Sequence, residues 1–171
     1  MNKAYRKTSW ISEKLEIKES SIHGLGVFTK DSIQKDEIII VWGGTIFTKQ
    51  EVAEGEGKQH TLVGISEEFY LGTPSNKELT IDDYMNHSCN SNVGMKDEVT
   101  LVAKRYVRAS EELTADYAIW LNNEDYIMKR ECNCGYEMCR KKITGKDWRL
   151  DSVQKVNFDY FSPFIKERIK N

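Results

Sequence analysis

The 171-residue chain has only four cysteines, and none lies before Cys89. Three of them crowd into ECNCGYEMCRK, so Cys132, Cys134 and Cys139 form a CxCx4C run with Cys89 as a distant partner and no cysteine to spare. Also missing is any stretch near the roughly 18 apolar residues that a membrane span needs. The start MNKAYRKTSW lacks the apolar run of a secretory signal. We therefore expect an intracellular chain, cytoplasmic or nuclear, that spans no membrane and keeps its thiols reduced. A pair of disulfides is the bland alternative for an even cysteine count. An excess of one charge is absent too, because 25 Lys and Arg face 27 Asp and Glu for a net charge of −2. That balance gives no global pull toward nucleic acid, although basic residues gather near Lys129–Arg149 and at the C-terminus.

What is present suffices for one ordinary core, since 39% of the residues are hydrophobic and no repeat or low-complexity tract interrupts them. Before the cysteine run the pattern is strand-like. Glu37–Gly44 (EIIIVWGG) is a β-branched run ended by two glycines, and Gly26–Thr29, Glu68–Gly72, Val99–Val107 and Glu111–Tyr117 also read as strands. Thr48 and Glu51 have capping-box spacing for a brief helix that Gly55 and Gly57 limit. After the thiols, Lys146–Phe158 has partly helical spacing, and Ser162-Pro163 reads as a serine cap followed by a first-turn proline. The first dozen residues read as a loose arm.

Chemistry concentrates in three places. YMNHSCNSNV (Tyr84–Val93) packs a thiol, an imidazole and three carboxamides into a few residues. SIHGLGVFTK (Ser21–Lys30) has two glycines but not the third of a dinucleotide fingerprint, so it reads as a tight loop whose backbone can approach a ligand. The four cysteines can complete a closed tetrahedral zinc site that staples mid-chain to the C-terminal segment.

HGLGVFT, YMNHSCNSN and EELTADY occur in the order and approximate spacing seen in SET-domain protein-lysine methyltransferases, and CNCGYEMCRKKITG is similar to their post-SET zinc segment. The resemblance runs from about Leu15 to Gly145. It implies a mainly β (α+β) fold of small curled sheets with a threaded, knot-like active-site segment. It divides the chain into an arm (1–14), a SET domain (15–120), a connector with the post-SET segment (121–145) and a C-terminal helical extension packed on the domain (146–171). It also implies S-adenosylmethionine as methyl donor, structural zinc on Cys89, Cys132, Cys134 and Cys139, and a protein substrate presenting a lysine, either a histone or another protein. Asn86 and His87 resemble the pair that holds the cofactor, Gly24, Leu25 and Gly26 the loop along it, and Tyr70 an aromatic near it. Tyr117 resembles the catalytic tyrosine. Trp42, Tyr84 and Ala115 fall where the lysine channel is expected. Trp42 replaces a frequent tyrosine and Ala115 a frequent ring, which predicts either a roomier channel or one closed by another aromatic. Ser91 and Ser110 read as tolerable turn substitutions. Trp120 and Trp148 are placed either beside the cofactor or in the core. The rival expectations are an inactive SET-like module that keeps zinc, and a zinc-stapled adaptor for protein or nucleic acid.

Overall fold

In the computed structural model, which describes residues 5–171, the β-branched run Ile38–Val41 forms the strand that its side chains favour, with Ile39 and Ile40 fully buried. The elements in chain order are β1 (Trp10–Ile11), β2 (Leu15–Glu19), β3 (Leu25–Thr29), β4 (Ile38–Val41), β5 (Thr45–Thr48), α1 (Lys49–Ala53), β6 (Val63–Gly64), β7 (Phe69–Gly72), β8 (Asn86–His87), β9 (Val93–Met95), β10 (Thr100–Ala103), β11 (Glu112–Ala115), α2 (Asp151–Asn157) and α3 (Pro163–Lys170). The larger sheet runs β1-β4-β10-β9-β11-β3-β2, with β8 added against β11, and the smaller runs β5-β7-β6. The architecture is the expected mainly β fold with short helices.

β11 is the crossing point that builds the site. Its first half pairs antiparallel with β3 (Leu113↔Val27), while its second half lies parallel to β8 (Thr114↔Asn86, Ala115↔His87) and to β9 (Ala115↔Val93). Every residue of β10 is buried, so this part of the sheet is covered on both faces and needs no polar alternation. From the C-terminal segment, Trp148, Val153, Phe161, Phe164 and Ile165 enter the same core as Ile119 and Trp120.

Several expectations change in detail. The expected loose arm is tied down within the described residues: Arg6 bridges Gly43, and Trp10 and Ile11 pair with Val41 and Ile40, which satisfies backbone groups at a sheet edge. The expected strand Glu111–Tyr117 stops at Ala115, because the Asp116 carboxylate accepts from the Ala118 backbone N–H at 3.1 Å and turns the chain into a 3-10 turn at Tyr117–Ile119. Val99–Val107 contracts to β10, whose register with β4 shifts between Leu101 and Val102. The Thr48–Glu51 capping box forms, with both backbone N–H groups bonded across it at 2.7 and 3.2 Å. Helix α3 begins at Pro163 as expected, but the Ser162 hydroxyl is buried without a partner rather than capping it. Among the described residues no helix is long and apolar enough to cross a membrane.

Candidate active site

Because β8 lies parallel to β11, the two halves of the motif-rich sequence meet backbone to backbone. The Tyr117 N–H donates to His87 Nδ1 at 3.2 Å. That bond leaves the ring proton on Nε2, which faces Cys89 Sγ at 3.4 Å. Burial holds His87 at a pKa of about 4, with Asp116 pulling the other way, so the ring is neutral near pH 7. Asn92, 2% exposed, joins in by accepting from the Thr114 N–H at 2.9 Å and donating to the Glu112 carbonyl at 2.8 Å. Two of the three carboxamides of YMNHSCNSNV, those of Asn92 and Asn86, therefore serve as cross-links between segments that a plain sheet ladder would leave open.

The glycine loop docks on the same junction. Asn86 Nδ2 faces the carbonyls of His23 and Leu25 at 3.2 and 3.0 Å and a carboxylate oxygen of Glu112 at 2.9 Å. That oxygen also accepts from the Ser20 hydroxyl at 2.8 Å. A Cβ on Gly26 would stand 2.3 Å from the same Glu112 oxygen, so only glycine permits this approach. Gly24 has φ +50 and nothing within 4 Å of where a Cβ would sit, and Leu25 beside it is exposed. The loop thus leaves open space next to a buried carboxamide, which fits a ligand such as the expected cofactor.

Tyr117 donates its hydroxyl to the Met85 carbonyl at 2.8 Å. Burial raises its pKa well above the usual phenol value. Its ring packs on His87 at 5.1 Å and Trp120 at 5.6 Å, and Trp120 meets Trp42 edge-on at 5.1 Å. Trp42 is therefore buried in an aromatic wall with Trp120. Ala115 is fully buried in the sheet. Tyr84 ends a 3-10 turn two residues before Asn86 and is half-buried at the edge of the core. Tyr70 lies in the smaller sheet opposite Phe47 and Gly64, buried and with Arg168 nearby.

The Sγ atoms of Cys89, Cys132, Cys134 and Cys139 all lie within 4.8 Å of one another. Burial pushes the Cys89 thiol up to about 12, whereas for Cys134 the backbone N–H groups of Cys89 and Tyr136 and the neighbouring thiols outweigh burial and hold it at about 7. Four sulfur donors gathered this closely fit zinc in a closed site. Asn133, inside this segment, donates to the Ser21 carbonyl at 3.3 Å and so ties it to the glycine loop.

Two residues of this arrangement escape a motif search. Glu112 organises Asn86, Ser20 and Gly26, and EELT offers two adjacent acids with nothing local to say which of them will do so. Asp116 is 1% exposed and caps the Tyr117 turn. Its place beside Tyr117 was visible, but its partner was not.

A family model described as SET domain matches residues 24–118, more than half of the chain. Histone-lysine N-methyltransferase SETD1B of Xenopus tropicalis is 27% identical over 152 residues, covering 80% of this chain and 7% of that protein. The H3 lysine-4 specific histone-lysine N-methyltransferases of Schizosaccharomyces pombe and Saccharomyces cerevisiae are 29% and 31% identical, covering 75% and 71% of this chain. The chain spans 7% to 15% of the length of these curated relatives. Among solved structures, the methyltransferase domain of human SETMAR superposes with a TM-score of 0.61 at 18% identity, covering 77% of this chain and 58% of that one. Arabidopsis thaliana SUVH6 in complex with SAM superposes at 0.62 and 21%, covering 77% and 33%. Both likenesses are of fold.

Proposed function

The chain belongs to the SET-domain family, and from that premise we propose that it is an S-adenosylmethionine-dependent methyltransferase acting on the ε-amine of lysine in a protein substrate. The observation that carries this is the β8–β11 junction, where Asn86 and His87 run parallel to the strand leading into Tyr117 and the glycine loop docks on Asn86. The relatives' names support a histone as the substrate, and another basic protein fits the same chemistry. An intracellular setting, cytoplasmic or nuclear, belongs to the proposal, because thiolate ligands need reducing surroundings. So does the division into a SET domain over 15–120, a zinc segment within 121–145 and a packed extension over 146–171.

S-adenosylmethionine, held by Asn86, His87 and the Gly24–Gly26 loop, would supply an electrophilic methyl group. The chain's own task is to present a neutral amine in line with it. With an ordinary pKa of about 10.4, only on the order of 0.04% of lysine is neutral at pH 7. A dry wall of Trp42, Trp120 and Tyr117 disfavours the ammonium form and lowers that pKa. Tyr117 stays a phenol, since burial raises its pKa and its proton is committed to the Met85 carbonyl. Its oxygen can still accept from the amine, so its part is to orient the nucleophile rather than to act as a strong base. Zinc on the four cysteines would leave no open position and serve structure alone.

The test is to incubate wild-type protein and Tyr117→Phe with methyl-labelled S-adenosylmethionine, histones and a whole-cell extract. Label on lysine of discrete proteins that disappears in the variant supports the proposal. No label from folded, zinc-loaded wild type would leave a SET-like module that binds without transferring.

A further inference from the structure

Arg140 directly follows Cys139, the last of the clustered thiols, yet its side chain is only 14% exposed. Its two terminal nitrogens each donate at 2.8 Å to a different oxygen of Asp116, a fork-to-fork pair across 24 positions of sequence. Its Nε stands 3.1 Å from Asp147 as a charge contact whose N–H is not aligned for a hydrogen bond. Asp116 in turn caps the turn that carries Tyr117, whose backbone N–H is held by His87. An unbroken chain of contacts therefore leads from the thiol cluster through one guanidinium to the Tyr117 turn.

A buried ion pair is a poor way to gain stability, because desolvating both charges cancels much of their attraction and an apolar pair of like volume often does as well. What a guanidinium fork supplies instead is geometry, since two parallel bonds fix a carboxylate in plane and in rotation. We propose that Arg140 is a positioning residue: by gripping both oxygens of Asp116 it makes the seating of the four-cysteine segment and the orientation of Tyr117 a single event. The proposal rests on the reading of Tyr117 as the residue that orients the acceptor amine. Metal occupancy then sets catalytic competence through Arg140, beyond holding the fold together.

Arg140→Lys keeps the charge and loses the fork. With 3-fluorotyrosine incorporated at position 117, the 19F signal of wild type is expected to move when a chelator strips zinc. Arg140→Lys, with its full zinc content measured by atomic spectroscopy, is expected to show a displaced signal while zinc is still bound. In turnover, kcat of this variant should fall at least about tenfold with KM for both substrates within about twofold, as misplacement of an orienting group predicts. A zinc-loaded Arg140→Lys with the wild-type 19F signal and kcat within twofold would overturn the proposal and leave Arg140 an ordinary staple. The 19F comparison needs no methyl transfer, so it decides the matter even if the enzyme reading fails. Should Arg140→Lys not fold, the paired Asp116→Asn/Arg140→Gln variant leaves neither charge of that pair alone and carries the same comparison.

Discussion

The side-chain amide of Asn86 and the carboxylate of Glu112 meet at 2.9 Å, 26 positions apart, and between them they hold the glycine loop against the sheet. Removing the carboxylate leaves the Ser20 hydroxyl without this acceptor and frees Asn86 to turn. Leaving a buried polar group unsatisfied costs about 1–3 kcal/mol. Glu112→Ala should therefore weaken binding of S-adenosylhomocysteine by roughly 5- to 150-fold in calorimetry, and Glu112→Gln, which retains one acceptor oxygen, by less. The same contact predicts a coupling. Gly26→Ala should be costly in wild type, where the new Cβ would lie 2.3 Å from the Glu112 oxygen, and markedly milder in the Glu112→Ala background. Equal costs in the two backgrounds would show that the clash is not with Glu112.

The ring beside Tyr117 comes from Trp120, three positions after it, rather than from position 115. Ala115 is sealed in the sheet between His87 and Val93, so Ala115→Phe should overpack the core and cost about 1–3 kcal/mol instead of retuning the product. Trp120→Ala removes a ring 5.6 Å from Tyr117 and 5.1 Å from Trp42, and should raise the fraction of di- and trimethylated product. Mass spectrometry of a single-lysine peptide reads this directly. A variant that is folded and active with an unchanged product ratio would place the limit on methyl number elsewhere.

Metal removal should act beyond the cysteines. If zinc binding contributes about 2.7 kcal/mol, the mass-action gain at roughly 100 times its Kd, chelation should lower the melting temperature by about 5–11 °C for a chain of this size. Hydrogen exchange should then quicken in the segment around Cys132–Cys139 and, through the Asn133–Ser21 contact, in the glycine loop. Because the ligands must be deprotonated, zinc content should also fall as pH drops. Cys134→Ser should reproduce both changes. Full zinc content and unchanged exchange in that variant would contradict the staple.

Sequence made the short-range chemistry visible. The Thr48–Glu51 box, the paired glycines and the CxCx4C run all act within a few residues, so spacing alone exposes them. The β8–β11 pairing was accessible only through the family resemblance, because nothing local says that NHSC will lie parallel to ELTA. Less legible still were contacts that depend on folded geometry between unlike motifs. Arg140 reads as one more basic residue in a basic stretch until it is found gripping Asp116. The arm at Trp10–Ile11 carries too few residues to announce a strand, and it becomes one because β4 offers an open edge. Ser162 shows the converse, since a sequence suited to capping was overridden by burial of its hydroxyl.

Lys104 supplies a test that depends on pH. Its ammonium is drawn under α2, donating to Asn157 Oδ1 at 2.8 Å and to the Ser91 hydroxyl at 3.2 Å. Burial pulls its pKa from 10.5 down to about 8, with Asp116 opposing. The folded state therefore binds the proton less tightly than the unfolded state does. Between about pH 8 and 10.5 the unfolded chain keeps the proton that the native chain has released, so stability rises with pH across that window. Below about pH 8 both states carry it and the burial cost is present in full. Lys104→Met has no such group. The melting temperature of wild type minus that of Lys104→Met should accordingly be flat below pH 7 and climb in favour of wild type from pH 8 to 10.5, whatever its starting sign after the loss of two hydrogen bonds. A difference that stays level across the window would mean that the native ammonium is solvated well enough to titrate normally, and that the contact with α2 is opened rather than held.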